Sequence, residues 1–300
     1  MKIRGVVIED TFAEAFTMRV ARIIITGSSM RWVRAAALKL TGFATSVIGC
    51  KVEAGIEREL PASGTPDGRP GVSLLLMTMS KDDLGKRLIE RIGQTVLTCP
   101  TTACYDGFPD AADRVGVGSA LRFFGDGFQG SKVIGGERFW RIPVMEGEFL
   151  VQEKFGMIKG VGGGNFLILG RSAETALEAA ERAADSMASH DGVILPFPGG
   201  VVRSGSKVGS RRSKTMIAST NDAFCPTLRA VTKTALPDEV NSVLEIVING
   251  TDAASIASAM RVGIDAACRE GVVAISAGNY GGKLGPHHFH LRKIMEGNGA

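Results

Sequence analysis

The sequence predicts an α+β protein of two lobes that arose by internal duplication, with extra β-structure between them. Three observations predict it. Residues Gly71 to Met79 form an apolar strand pattern, followed by Ser80 as a helix cap, a helical stretch Lys81 to Ile92 and a strand at Thr95 to Thr98. Residues Ser242 to Asn249 repeat this order, with Thr251 capping a helix from Asp252 to Cys268 and a strand at Val272 to Ser276. A further strand, helix and strand lie upstream of each unit, so two strands adjoin in the middle of each half, which a parallel sheet of alternating strands and helices does not permit.

The upstream elements are Ala21 to Thr26, Arg31 to Leu40 and Ser46 to Val52 in the first half. In the second they are Gly164 to Leu169, Ser172 to Ala188 and Gly192 to Leu195. Each half therefore reads β-α-β-β-α-β, the split order of ferredoxin-like folds, in which two helices cover one face of a mainly antiparallel sheet. Between the halves, Leu121 to Phe155 alternates apolar residues with Gly-rich turns and has no helical period, so extra β-structure is expected there, with lobes of 1–146 and 147–300. Two segments, 53–70 and 197–237, fit no regular element. Loops of some 40 residues are uncommon unless they bind something or are disordered, and Phe197, Phe224 and Cys225 favour an ordered, packed loop here.

The chain has 300 residues, 44% apolar and 22% charged, enough to bury real cores and too apolar to be disordered. Its longest apolar runs fall short of the roughly 20 residues a membrane helix requires. Glu9 and Asp10 interrupt the N-terminal stretch where a signal peptide needs an apolar run, so a cytoplasmic protein without membrane association is expected. Five cysteines without a C-x-x-C pair argue against a disulfide framework and a structural zinc site. The net charge is +4, and the one dense basic cluster, Arg211, Arg212 and Lys214, lacks interleaved aromatics, so nucleic acid is not expected as a partner. Glycine, at 39 residues, is about twice as frequent as usual and clustered, which lets backbone approach backbone or ligand.

Few motifs carry chemistry. The string Gly125-Asp-Gly-Phe-Gln-Gly130 matches G-x-G-x-x-G, but turn and strand follow it where a dinucleotide loop needs a helix N-terminus. The four histidines, His190, His287, His288 and His290, leave no mid-chain base for a covalent acyl-enzyme, and no metal is expected at the Gly285-Pro-His-His-Phe-His290 tail, since no carboxylate or cysteine accompanies it. Glu245 is more informative. Alternation puts Val243, Glu245 and Val247 on one strand face and Leu244, Ile246 and Ile248 on the other. A carboxyl on a partly apolar face has a raised pKa and suits proton donation near pH 7, unless that face is solvated or an arginine neutralises it. In the long loop, Ser204, Ser206, Lys207, Ser210, Ser219, Thr220, Asn221 and Asp222 supply polar donors and acceptors for a ligand or for the loop itself.

Several long strings closely resemble one family. Glu9-Asp-Thr-Phe-Ala-Glu-Ala-Phe16, Thr65-Pro-Asp-Gly-Arg-Pro-Gly71, Phe123-Phe-Gly-Asp-Gly127, Pro196-Phe-Pro-Gly-Gly200 and Ser206-Lys-Val-Gly-Ser210 are five of them. Ala218-Ser-Thr-Asn-Asp-Ala-Phe-Cys-Pro-Thr227, Glu245-Ile-Val-Ile-Asn-Gly250 and Ile275-Ser-Ala-Gly-Asn-Tyr-Gly-Gly-Lys-Leu-Gly285 complete the set, which resembles the formylmethanofuran:tetrahydromethanopterin formyltransferases from end to end.

The resemblance implies formyl transfer between the amine of a methanofuran-type carrier and N5 of a tetrahydromethanopterin-type carrier. It implies two ferredoxin-like lobes, a homodimer or homotetramer, and no tightly bound cofactor. The sequence pI of 8.8 departs from the acidic members of salt-adapted archaea and looks like the bacterial methylotroph branch, where the chain resembles one subunit of a formyltransferase/hydrolase complex and flow runs toward formate. Glu245 is then the expected catalytic acid. Phe197, Gly199, Gly200, Ser206, Lys207, Ser210, Ser219, Thr220, Asn221, Asp222, Asn279 and Lys283 are the expected carrier-binding residues, with Lys207, Arg211 and Lys283 suited to acidic carrier tails. Two other classes fit the residues alone: a non-catalytic structural subunit, and a regulatory subunit binding a pterin-like ligand.

Overall fold

The computed structural model describes residues 1–188 and 190–297. Contacts divide the chain into Met18–Gly160 and a second unit that joins Met1–Thr17 to Val161–Ala300. A single cut near residue 146 differs from this division, because the long strands Phe12–Thr26 and Lys154–Gly170 each run through a point where the units part.

In the 18–160 unit the four strands of the split pattern lie in the order Glu53–Leu60, Gly71–Thr78, Phe12–Thr26, Ala103–Asp106, all antiparallel. The helices Met30–Thr41 and Lys81–Arg91 bury Val33, Ala36, Ala37, Leu40, Leu84 and Leu88 in one core with Ile23, Ile25, Leu74 and Leu76. Those spacings of three and four are why these stretches are helical: each puts an apolar stripe on one side. Ser80 caps the second helix by accepting the Asp83 N–H at 3.1 Å. Beyond Ala103–Asp106 the sheet continues through Gly147–Gln152, Glu137–Val144 and Gly130–Ile134, the expected extra β-structure, although Gly118–Gly125 is helical turn. A strand follows Gly130, as read from the G-x-G-x-x-G string.

Three expectations shift here. Ser46 to Val52 is a helical turn, Val47–Cys50, because the Ser46 hydroxyl caps it, and the strand comes at Glu53–Leu60 within the segment expected to be irregular. Thr95 to Thr98 extends the preceding helix through a π turn, Ile92–Val96, and the strand follows at Ala103–Asp106. The hydroxyls of Thr95 and Thr98 bond the carbonyls of Arg91 and Gln94, four residues back, which lets these β-branched residues stay helical.

The other unit repeats the order strand, helix, strand, strand, helix, strand. Its sheet runs Val193–Ile194, Ser242–Gly250, Lys154–Gly170, Val272–Ser276, with Val6–Ile8 added in parallel at the edge. Helices Ala173–Met187 and Ala253–Ala267 cover one face, packing on Phe166, Ile168, Ile246, Ile248 and Ile275. Ser172 and Thr175 form a capping box for the first; the second is capped by Asp252, which receives the Ser255 N–H at 2.8 Å, where Thr251 was expected. A Cβ at Gly263 would lie 2.7 Å from the Met187 sulfur, so glycine sets the approach of the two helices. Among the described residues no helix is long and apolar enough to cross a membrane.

Candidate active site

The strand Ser242–Gly250 fixes Glu245 from both edges. Its residue faces Leu167 on one neighbour, and on the other side Glu245 and Val202 exchange backbone hydrogen bonds at 2.8 and 2.9 Å. Alternation then works as the sequence predicts. Ile246 and Ile248 enter the core beneath the helices, while Val243 joins Leu167, Leu169, Leu236, Val240, Ala274 and Phe224 in a separate cluster on the opposite face. Glu245 shares that face with Leu167 and, one strand further, Ser276.

The Glu245 carboxyl is half-buried, and burial raises its pKa from 4.5 to about 7. Among the described residues it has no hydrogen bond and no ion pair, so no arginine neutralises it. A carboxyl so placed is substantially protonated at neutral pH and can give its proton to a developing oxyanion or a departing amine.

A turn from Ala277 to Gly285 follows the strand Val272–Ser276, and buried polar side chains build it. The Asn165 Oδ1 accepts the Gly278 N–H at 2.6 Å, and its Nδ2 donates to the carbonyls of Gly163 and Gly278. Asn279 donates to the Thr11 hydroxyl at 3.2 Å and the Phe12 carbonyl at 3.1 Å. Glu14, 2% exposed, accepts N–H bonds from Tyr280 (2.8 Å), Gly282 (2.9 Å), Leu284 (2.5 Å) and Gly285 (2.6 Å). Burial alone would raise its pKa; the four donors reverse that and hold it at about 2. The Tyr280 phenol is half-buried, and burial together with the charges of Glu245 and Glu14 keeps it protonated.

In the long loop, Phe224 packs against the cluster of Leu167, Leu169, Leu236 and Val240. Phe197 is half-buried ahead of a turn, Pro198–Gly200, in which Gly199 and Gly200 take φ of +60° and +77°. Lys207 faces Ser219 in a two-stranded ribbon, and its ammonium pairs with Asp222. Asp222 also takes Arg211 at 2.9 Å. The Ser210 hydroxyl accepts the backbone N–H groups of Arg212 and Ser213, and Thr220 and Asn221 bond the Cys225 thiol. Thus Lys207, Ser210, Thr220, Asn221 and Asp222 serve the loop's own structure, which is a different use from the acidic-tail role anticipated for Lys207. Ser206 and Lys283 are exposed, and neither is bonded to Glu245.

Sequence reasoning did not pick out Glu14, Asn165 or Tyr280. Glu14 carried a signal, a lone acid within Phe12-Ala-Glu-Ala-Phe16, of the same kind that marked Glu245. Among the described residues no group of three or more His, Cys, Asp and Glu is arranged to hold a metal ion.

Residues 1–144 match the family described as formylmethanofuran-tetrahydromethanopterin formyltransferase, and residues 147–294 match the one described as FTR, proximal lobe. The chain is 60% identical to a formylmethanofuran–tetrahydromethanopterin formyltransferase of Methylobacillus flagellatus, over 98% of this chain and all of that one. It is 50% identical to one of Methanosarcina acetivorans at the same coverage. Among solved structures, the formyltransferase of Methanosarcina barkeri superposes with a TM-score of 0.94 at 51% identity, covering 98% of this chain and 100% of that one. The formyltransferase/hydrolase complex of Methylorubrum extorquens with methylofuran contains a chain with a TM-score of 0.95 at 48% identity, covering 98% of each.

Proposed function

The chain belongs to the formylmethanofuran–tetrahydromethanopterin formyltransferase family, and from that we propose the reaction and the role of Glu245 in it. The reaction is transfer of a formyl group between N5 of a tetrahydromethanopterin-type carrier and the amine of a methanofuran-type carrier. The alternatives of a structural or a regulatory subunit are set aside by that membership.

In the direction toward formyl-methanofuran, the methanofuran amine attacks the formyl carbon of the N5-formyl pterin. A carbon–nitrogen bond forms, the carbonyl π electrons move to oxygen, and a tetrahedral anion results. Protonated Glu245 donates to this oxygen or to N5 as the carbon–N5 bond breaks, and the attacking amine's proton restores the carboxyl. Neither carrier needs to be attached to the enzyme, so the gain comes from holding both together and from a proton available at neutral pH.

The observation that carries the role is the Glu245 carboxyl itself, half-buried, partnerless among the described residues and protonated to about pH 7. The test is the ultraviolet change of a tetrahydromethanopterin-type carrier with formyl-methanofuran and purified protein. Glu245→Gln is expected to lower kcat on the order of 10²–10⁴-fold with little change in KM. Turnover near that of the wild type, with an unaltered pH profile, would sink the acid role.

Three further points belong to the proposal. Each β-α-β-β-α-β unit is a ferredoxin-like lobe, supported by the strand order in which the two central strands are the first and third of each unit. The chain acts in the cytoplasm and assembles as a homo-oligomer or with other subunits; the Methylorubrum extorquens complex supports the second arrangement. The turn residue Asn279, and Ser206 and Lys283 on the surface, remain candidates for carrier contact, tested by KM for each carrier in alanine variants.

A further inference from the structure

We propose that Glu9 is a second catalytic residue of the reaction: its carboxylate, held by Ser276 on the same sheet face as Glu245, takes the proton that the attacking amine gives up. The inference rests on the formyl transfer and the acid role of Glu245 given above.

The strand registers put the two acids in one row. Leu167 stands opposite Glu245 on one side and opposite Ser276 on the other, and residues directly opposite in a sheet point to the same face. Beyond Ser276, the parallel strand Val6–Ile8 pairs Val7 with Ala274 and Ile8 with Ile275, and the Glu9 N–H continues the ladder to the Ile275 carbonyl at 3.0 Å. Alternation along this strand is visible in its packing. Val6 and Ile8 enter the core beneath the helices, whereas Val7 joins Leu169, Val243 and Ala274 on the opposite face. Glu9, two residues after Val7, returns to that face, and the Ser276 hydroxyl fixes it there by donating to its Oε2 at 2.5 Å.

The pair has the reach that the reaction needs. The strands of Glu245 and Ser276 lie two spacings apart, roughly 9.5 Å. A tetrahedral carbon bearing two nitrogens, each hydrogen-bonded to a carboxyl oxygen, spans about 8 Å. Glu9 and Glu245 are both partly exposed while Leu167 and Ser276 between them are buried, so the two acids stand at the ends of a closed floor. On the next row, Asn165 is committed to Gly163 and Gly278. Asp10, the next acid in the chain, is exposed and takes Arg292 at 3.1 Å. Among the described residues Glu9 has no ion pair, and the Ser276 bond engages one of its oxygens, which leaves the other for a substrate N–H.

The protons balance. As the amine nitrogen bonds to the formyl carbon it becomes cationic, and one of its protons passes to the Glu9 carboxylate. Glu245 gives its own proton to N5 as the carbon–N5 bond breaks and the oxyanion electrons re-form the carbonyl. The proton on Glu9 then returns to Glu245 through water, so the amine restores the Glu245 carboxyl by way of Glu9. With the proton on Glu9, the same steps run in reverse and Glu9 is the donor to the departing amine.

The experiment compares the wild type with Glu9→Gln, Glu9→Ala, Ser276→Ala and Asp10→Asn in the ultraviolet assay, each carrier being varied in turn. Glu9→Gln is expected to lower kcat on the order of 10²-fold and to raise KM for the methanofuran-type carrier by up to about tenfold, with KM for the pterin carrier within about threefold of the wild type. Added acetate is expected to raise the activity of Glu9→Ala by about tenfold, since it brings a carboxylate to the vacated space. Asp10→Asn is expected to match the wild type. If the Glu9 variants do not fold, Ser276→Ala keeps the carboxylate without its anchor and is expected to lower kcat by about tenfold, with the pterin KM unmoved; an unchanged kcat there overturns the proposal. Wild-type kcat in folded Glu9→Gln overturns it as well, and so does a loss that acetate does not restore and that falls equally on both KM values, the mark of a merely structural Glu9. Unchanged turnover in Glu245→Gln sinks the acid role, whereas unchanged turnover in Glu9→Gln sinks this inference alone, so the two failures are told apart.

Discussion

The Lys207 ammonium is bound to the Asp222 carboxylate, which takes the Arg211 guanidinium on its other oxygen at 2.9 Å. One acid thus gathers two bases from a loop of more than 30 residues, and those bases cannot both be free for an acidic ligand while it does so. Hydrogen bonding from Lys207, which outweighs burial, lowers the Asp222 pKa and keeps the clamp charged. Asp222→Asn is expected to release it: trypsin should cut after Lys207, Arg211 or Arg212 on the order of tenfold faster than in the wild type, with the global melting temperature almost unmoved. Equal cleavage rates would show that the clamp does not order the loop.

Glu245 also has a stability signature. Its folded-state pKa of about 7 lies above the ordinary 4.5, so the folded protein binds this proton more tightly than the unfolded chain does. The favourable contribution is complete below pH 4.5 and is lost as pH rises through 7. Glu245→Gln should therefore gain on the wild type by about 2 to 3 kcal/mol between pH 4 and pH 8, read from urea unfolding at both values. A constant difference across that range would mean the carboxyl is not burdened by burial.

In the 18–160 unit, Glu57 has a fully buried side chain that accepts Arg22 at 2.6 and 2.8 Å and the Ser73 hydroxyl at 2.5 Å. Glu57→Ala leaves the partly buried guanidinium facing a vacated site. The expected loss is about 3 kcal/mol or more, measured by equilibrium unfolding, because breaking a buried pair costs far more than the pair contributes.

Two glycines in the same unit make a matched pair. A Cβ at Gly156 would fall 2.1 Å from the Phe108 carbonyl oxygen, whereas one at Gly130 meets nothing within 4 Å. Gly156→Ala should cost about 2 kcal/mol or more, and Gly130→Ala should stay within about 0.5 kcal/mol of the wild type, compared by thermal unfolding.

Thiol reactivity should follow burial and hydrogen bonding. Burial tends to raise the Cys50 pKa, but bonds from Ser46 and Thr45 and the Arg91 charge bring it below its ordinary value. Cys104 is buried and burial pushes its thiol up, with Asp106 adding to the effect. Mass spectrometry after brief alkylation is expected to find Cys50 labelled first and Cys104 only after unfolding.

How far the sequence could be read depended on whether a residue's partners were near in the chain. Glu245 was legible because alternation within its own strand separates it from Ile246 and Ile248, and the structure buries those two under the helices as that alternation requires. The same logic gave the order of strands and helices in both halves. Glu14 sits in as apolar a setting, but its meaning lies in backbone N–H groups more than 260 residues away, which have no side-chain signature. The strand Glu53–Leu60 was missed for a different reason. It pairs by one edge with Gly71–Thr78 and carries Glu57 inward to Arg22, so a charge stands where alternation looks for an apolar residue. The pairing of Lys207 with Asp222 was not legible, because composition cannot distinguish a base awaiting a ligand from one held by a neighbouring acid.

The division of the chain at residues 17 and 161 sets an order on its birth. During synthesis, 18–160 has all its strands and helices once it clears the ribosome, and can fold as the rest is made. The first 17 residues cannot. Glu14 must wait, its carboxylate in water, until the final fifty residues supply Tyr280 through Gly285. The second unit is thus completed only when residues 1–17 meet the segment from 161 onward, which is made long after them.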